Sequence, residues 1–188
     1  MLRQVGTLPG TETSVREAVP IRAVPIRVPI CVCVLLACVS LQAADFQTGM
    51  DAYRAGDFET AFREWSPLAE QGSAIAQFNL GLMFEQGKGR PVDLAVAAEW
   101  YLRAADGGFA RAQFAIAEMY EAGRGLERDV VEAYKWFKLA AEQRYEGARK
   151  RRKKLADTMT STEIALGEMW AREWKRVQKA SGTEEPAR

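Results

Sequence analysis

The sequence contains no histidine and only three cysteines, and its most apolar stretch is 14 residues long. Without histidine there is no imidazole acid–base relay and no histidine metal ligand. The cysteines (Cys31, Cys33 and Cys38) all fall in that stretch, Val28 to Leu41, which reads VPICVCVLLACVSL. A permanent bilayer span needs roughly 20 apolar residues, so this run is too short to be one. Neither sign of charge predominates. Against 26 basic residues stand 25 acidic ones, a net charge of +1, so no global field selects nucleic acid or an acidic membrane. What is present, 48% hydrophobic and 27% charged residues in 188, suits a folded domain or a short solenoid.

Arg3, Arg16, Arg22 and Arg27 precede the apolar run, and Gln42-Ala43-Ala44-Asp45 follows it. A charged flank, a short apolar core and small residues at the boundary have the layout of an export signal. Residues 1–43 are therefore expected to be an N-terminal extension and signal peptide, with cleavage after Ala43 preferred over Ala44. Leu35-Leu36-Ala37-Cys38 resembles a bacterial lipobox, which makes a lipid anchor at Cys38 the second choice. The expected location is periplasmic, with a lipoprotein or a secreted protein as alternatives. Cleavage after Ala43 leaves a nearly neutral chain without cysteine, held by packing rather than disulfides.

Beyond the run, Ala74–Phe109 lies over Ala110–Tyr145 without a gap. Ala76, Gln77 and Phe78 fall on Ala112, Gln113 and Phe114; Gly87 and Gly89 fall on Gly123 and Gly125; Trp100-Tyr101 falls on Trp136-Phe137. A fixed 36-residue period predicts a stack of helical hairpins. Within one unit, Ala76, Leu80 and Phe84 form a helical stripe that Gly87 terminates. Asp93 then stands where an N-cap opens a second helix bearing Ala97, Trp100-Tyr101 and Ala104-Ala105. A divergent first copy over 46–73 carries Asp57, Ala61, Trp65, Ala69 and Gly72 at the same period.

The pattern AxAQxxLGxMFExGxGxxxDxxxAxxWYxxAAxxG across Ala74–Gly108 resembles the Sel1-like repeat, a relative of the tetratricopeptide repeat. Ala117 departs from the pattern, standing where the preceding unit has Gly81. The resemblance implies an all-α fold, a short right-handed α/α superhelix of about three hairpins over residues 44–145. It also implies an adaptor or regulatory surface, in bacteria often in the cell envelope.

After Tyr145 the period breaks. Phe114 and Ile116 now correspond to Lys150 and Arg152, inside the run Arg149-Lys150-Arg151-Arg152-Lys153-Lys154. Residues 146–180 are expected to form a pair of capping helices. The first is basic, laying Ala148 and Leu155 on the last repeat; the second opens with a Thr160/Glu163 capping box. Leu166, Trp170, Trp174 and Val177 predict its apolar stripe, which would cover the open end of the solenoid, and residues 181–188 read as a loose tail. The basic run reads chiefly as a solvated face, with anionic lipid or an acidic protein segment as functional alternatives.

No motif for chemistry stands out. Gly87-Lys88-Gly89-Arg90 lacks the spacing of a phosphate-binding loop; Glu85 and Glu121 recur a repeat apart and Glu99 falls on a second helix, which argues for solvated faces rather than one pocket. The leading expectation is a non-enzymatic module without metal or cofactor, binding a protein or peptide segment along its first helices. Gln77, Asn79, Met83, Glu85, Gln113, Met119 and Glu121 are the candidate contacts. The competing reading is a peptidoglycan-binding or wall-modifying envelope protein, since some members of the wider family are linked to cell-wall processes.

Overall fold

The computed structural model describes residues 46–182, and the expected signal peptide, its cleavage sites, Cys38 and most of the tail lie outside them. Eight helices and no strand occur among the described residues. In chain order they are α1 (46–55), α2 (Phe58–Glu70), α3 (Ala74–Gln86), α4 (Leu94–Asp106), α5 (Ala110–Ala122), α6 (Val130–Glu142), α7 (Ala148–Ala156) and α8 (Ser161–Ser181). Helices α3 and α4 form one hairpin, α5 and α6 the next, and α4 packs on α5 to join them. Helices α1 and α2 precede as the divergent unit, with α2 packed on α3.

The hairpins close through caps that the repeat specifies. Gly87 and Gly123 end α3 and α5 in the left-handed region (φ 68° and 67°), and each donates its N–H to a methionine carbonyl, Met83 or Met119. The second loop glycine has a different task. Gly125 (φ 74°) lies against the Leu94 carbonyl of the preceding unit, where a β-carbon would collide with backbone. Asp93 then accepts from the amides of Ala95 and Val96 at 3.1 and 3.0 Å, and Asp129 repeats this with Val131 and Glu132 at 2.8 and 3.0 Å.

Between hairpins the core is alanine and aromatic. Ala97, Ala104, Ala105, Ala112, Ala133 and Ala140 are fully buried, so helices approach closely while Trp65, Tyr101 and Phe137 fill the remaining volume. Packing holds position 81 to glycine, since a β-carbon there would lie 2.7 Å from the Tyr101 ring. The Tyr101 hydroxyl donates to Glu85 at 2.7 Å.

Helix α8 lies along α6 of the last repeat and reaches back to α4, where the Trp174 ring N–H donates to Asp106 at 3.2 Å. Its buried seam is rotated from the expected stripe. Gly167 and Ala171 are buried and Ile164 and Trp174 pack beside them, while Val177 is 51% exposed. Close approach explains the shift: Tyr134 stands where any β-carbon at Gly167 would go, so only small residues fit the line of contact. Trp174 meets Trp136 edge-on at 6.0 Å and shields it, leaving Trp136 buried while Trp100, one period earlier, stays half-exposed under Arg103.

Candidate functional site

The first helices of successive units lie side by side, with Asn79 of α3 at 3.9 Å from the Met50 sulfur and Arg151 of α7 bonded to Glu121 of α5. Four of the seven residues expected to offer contacts on this face do not. Met83 and Met119 are fully buried, and Gln77 and Gln113 are 8% and 0% exposed. The expectation is corrected for these four: they belong to the core, and the two glutamines serve the joints between units.

The Gln77 amide donates to the Ala69 carbonyl at 2.9 Å, and the Gln113 amide donates to the Ala105 carbonyl at 3.2 Å. Each carbonyl belongs to the last turn of the preceding unit's second helix and also accepts from the capping backbone, Gly72 or Gly108, so the glutamine occupies its remaining lone pair. A buried glutamine that answers such a carbonyl is a staple between repeats, not a free side chain. Gln113 is held twice, since its own oxygen accepts from the Gln143 amide at 2.9 Å.

Of the remaining three, Asn79, Glu85 and Glu121 are half-buried. Glu85 accepts from Tyr101 and pairs with Arg124 of the next unit at 3.4 Å. Glu121 pairs with Arg151 at 2.7 Å, and the same guanidinium stands 3.6 Å from Glu118. Burial pushes the Glu118 carboxyl above the usual carboxylate range, with Arg151 and Arg124 pulling it back. Burial likewise holds the Tyr101 hydroxyl well above its ordinary range, reinforced by its bond to Glu85. What this face leaves open is different: Ile75 is 49% exposed, Gln86, Arg111 and Ala122 are exposed, and Leu82 and Ala115 are half-buried. Ile75 and Arg111 are one period apart, and their exposure was the signal that residue type alone did not give.

The basic run is divided among several faces. Ala148 and Leu155 are buried and anchor α7. Arg151 is tied into the Glu118–Glu121 pair, and Arg152 lies over the Tyr134 ring at 5.9 Å. Arg149, Lys150, Lys153 and Lys154 are exposed and make no ion pair among the described residues.

Residues 74–109 and 110–145 each match the model of the Sel1 repeat. A solved Sel1 repeat protein from Oxalobacter formigenes is 36% identical and superposes with a TM-score of 0.56, covering 60% of this chain and 88% of that one. The chain belongs to the Sel1 repeat family. A second solved structure, a protective antigen of uropathogenic Escherichia coli with an SLR fold, superposes with a TM-score of 0.66 at 28% identity. That match covers 78% of this chain and 34% of the antigen. Among curated proteins, the DAP3-binding cell death enhancer 1 of Rattus norvegicus and of Mus musculus are each 39% identical over 49 residues. Those residues are 26% of this chain, and the match spans only 10% of either relative. The two matched Sel1 units end at Tyr145, so α7 and α8 are additions beyond them. Sel1 repeats generally serve protein–protein interaction, and no helix among the described residues is long and apolar enough to cross a membrane.

Proposed function

We propose that this Sel1 repeat protein is an exported, non-enzymatic adaptor that holds a peptide or protein segment along the first helices of its hairpins. The observation that carries the reading is the line formed by exposed Ile75 and Arg111 with half-buried Leu82 and Ala115 on α3 and α5. An apolar centre with a cation beside it suits a short amphipathic segment with an acidic residue. Arg111 is pre-positioned for such a contact, resting on the Phe78 ring at 4.9 Å.

The pairing of the carboxylates argues against hydrolysis. Glu118 and Glu121 come together and the Glu118 carboxyl is raised, but Arg151 spans both and fills the place a substrate would need. Glu85 is likewise engaged by Tyr101 and Arg124.

Photo-crosslinking tests the binding face. A crosslinker at Ile75 or Arg111 is expected to trap a discrete partner in the native cell envelope, and one at exposed Glu99 of α4 is not. Equal labelling at all three positions, or none, would remove the reading. Export is tested separately by N-terminal sequencing, with a new terminus at Ala44 expected and a lipidated Cys38 as the alternative.

A further inference from the structure

The 36-residue period carries past the last matched unit into the joint between α6 and α7, and there it places arginines at positions the earlier joints fill otherwise. The glycines that follow α2 and α4, Gly72 (φ 94°) and Gly108 (φ 81°), are succeeded by Arg144, the one non-glycine residue at positive φ among those described (φ 60°). The staples Gln77 and Gln113 are succeeded by Arg149, and the buried Leu80 and Ile116 by Arg152. Instead of a closed joint, the structure has an open depression of about 500 Å³ lined by Ala141, Glu142, Arg144, Tyr145, Arg149 and Arg152. Ala141 is itself the successor of Ala69 and Ala105, whose carbonyls the two glutamines cap.

We infer that this depression is an anion site, built for a tetrahedral dianion of the phosphate-monoester class on a soluble molecule. Three arginines line it, and none makes an ion pair among the described residues, although Arg152 also lies over the Tyr134 ring. The carboxylate on its rim, Glu142, is already neutralised by Lys138 at 3.4 Å and Lys175 at 3.0 Å. Planar guanidinium forks match phosphate oxygens, and three of them saturate a tetrahedral oxyanion where a carboxylate offers two oxygens. The floor is firm, because Tyr145 packs on Phe114 with ring centres 5.1 Å apart. Arg144 adopts a backbone conformation that side-chain-bearing residues disfavour, where earlier units have glycine. A bilayer surface fits less well, since the exposed residues of α7 are all arginine or lysine and offer nothing apolar to insert.

The test is calorimetric titration of the full chain with inorganic phosphate and with phenyl phosphate at constant ionic strength. Variants restore the residues of the closed joints: Arg144→Gly, Arg149→Gln and Arg152→Ile. Each is expected to weaken phosphate binding by about tenfold, the usual worth of one charged hydrogen bond. Arg144→Gly also relieves the backbone, so it should melt no lower than the wild type while binding less; lost affinity then cannot be lost folding. The triple variant Lys150→Ala/Lys153→Ala/Lys154→Ala, which strips another face of α7, should bind as the wild type does. Undiminished binding by the three restored variants would overturn the inference, as would loss confined to the lysine variant. So would attachment to phosphatidic acid vesicles that phenyl phosphate fails to displace.

Discussion

The joint between α4 and α5 and the joint between α6 and α7 stand at the same phase of one period, yet one is closed and the other open. In the first, Gln113 is wholly buried and bridges the Ala105 carbonyl to Gln143. In the second, Arg149 occupies the equivalent position and is exposed beside a depression. The backbone repeat therefore fixes where helices stack, while a few side chains decide whether a joint is sealed or left as a surface. A solenoid can end by this means: its terminal joint need not be sealed, and what is not sealed can acquire a ligand.

The comparison can be broken most severely by making the closed joint resemble the open one. Gln113→Arg places an unpaired guanidinium in a site with no exposure, and should cost about 3 kcal/mol or more in denaturant unfolding. Gly81→Ala asks the Tyr101 ring to move and should cost about 1–3 kcal/mol by the same measurement, well above the effect of Ala117→Gly. Gln113→Leu removes two buried hydrogen bonds, to the Ala105 carbonyl and from Gln143, although each of those groups keeps a second partner, and should cost about 1 kcal/mol. Gln77→Leu, which breaks one bond rather than two, should cost less. Asp129→Ala removes the cap of α6 and should cost about 1 kcal/mol, read as a lower Tm. Smallest, and of opposite sign, Arg144→Gly should stabilise by about 0.5–1 kcal/mol by removing a side chain from a left-handed position.

Much of the repeat was legible because its signals are local. The glycine stops, the aspartate caps and the alanine-aromatic stripes each imply their own geometry, and the Thr160/Glu163 capping box is read from two letters. The contact face was less legible. Gln77 and Gln113 are polar, and polarity argues for exposure until the partner is known. The Ala69 and Ala105 carbonyls that satisfy them lie in another helix, invisible to any single-helix pattern. A polar residue recurring between Ala76 and Phe78, and again between Ala112 and Phe114, was the available sign of a staple. Helix α8 misled for a related reason: large apolar residues suggest a buried stripe, but the tight contact with Tyr134 selects Gly167 and Ala171 instead. The arginines after Tyr145 read as one basic run, whereas the fold divides them among an ion pair, an open joint and solvent.

Native-state hydrogen exchange, helix by helix, measures the difference between sealed and open joints most directly. The expected result is that α3 and α5 amides open only with global unfolding, that α7 opens at lower free energy, and that phosphate raises α7 alone. Protection of α7 equal to that of α5 without phosphate would contradict the distinction between the joints.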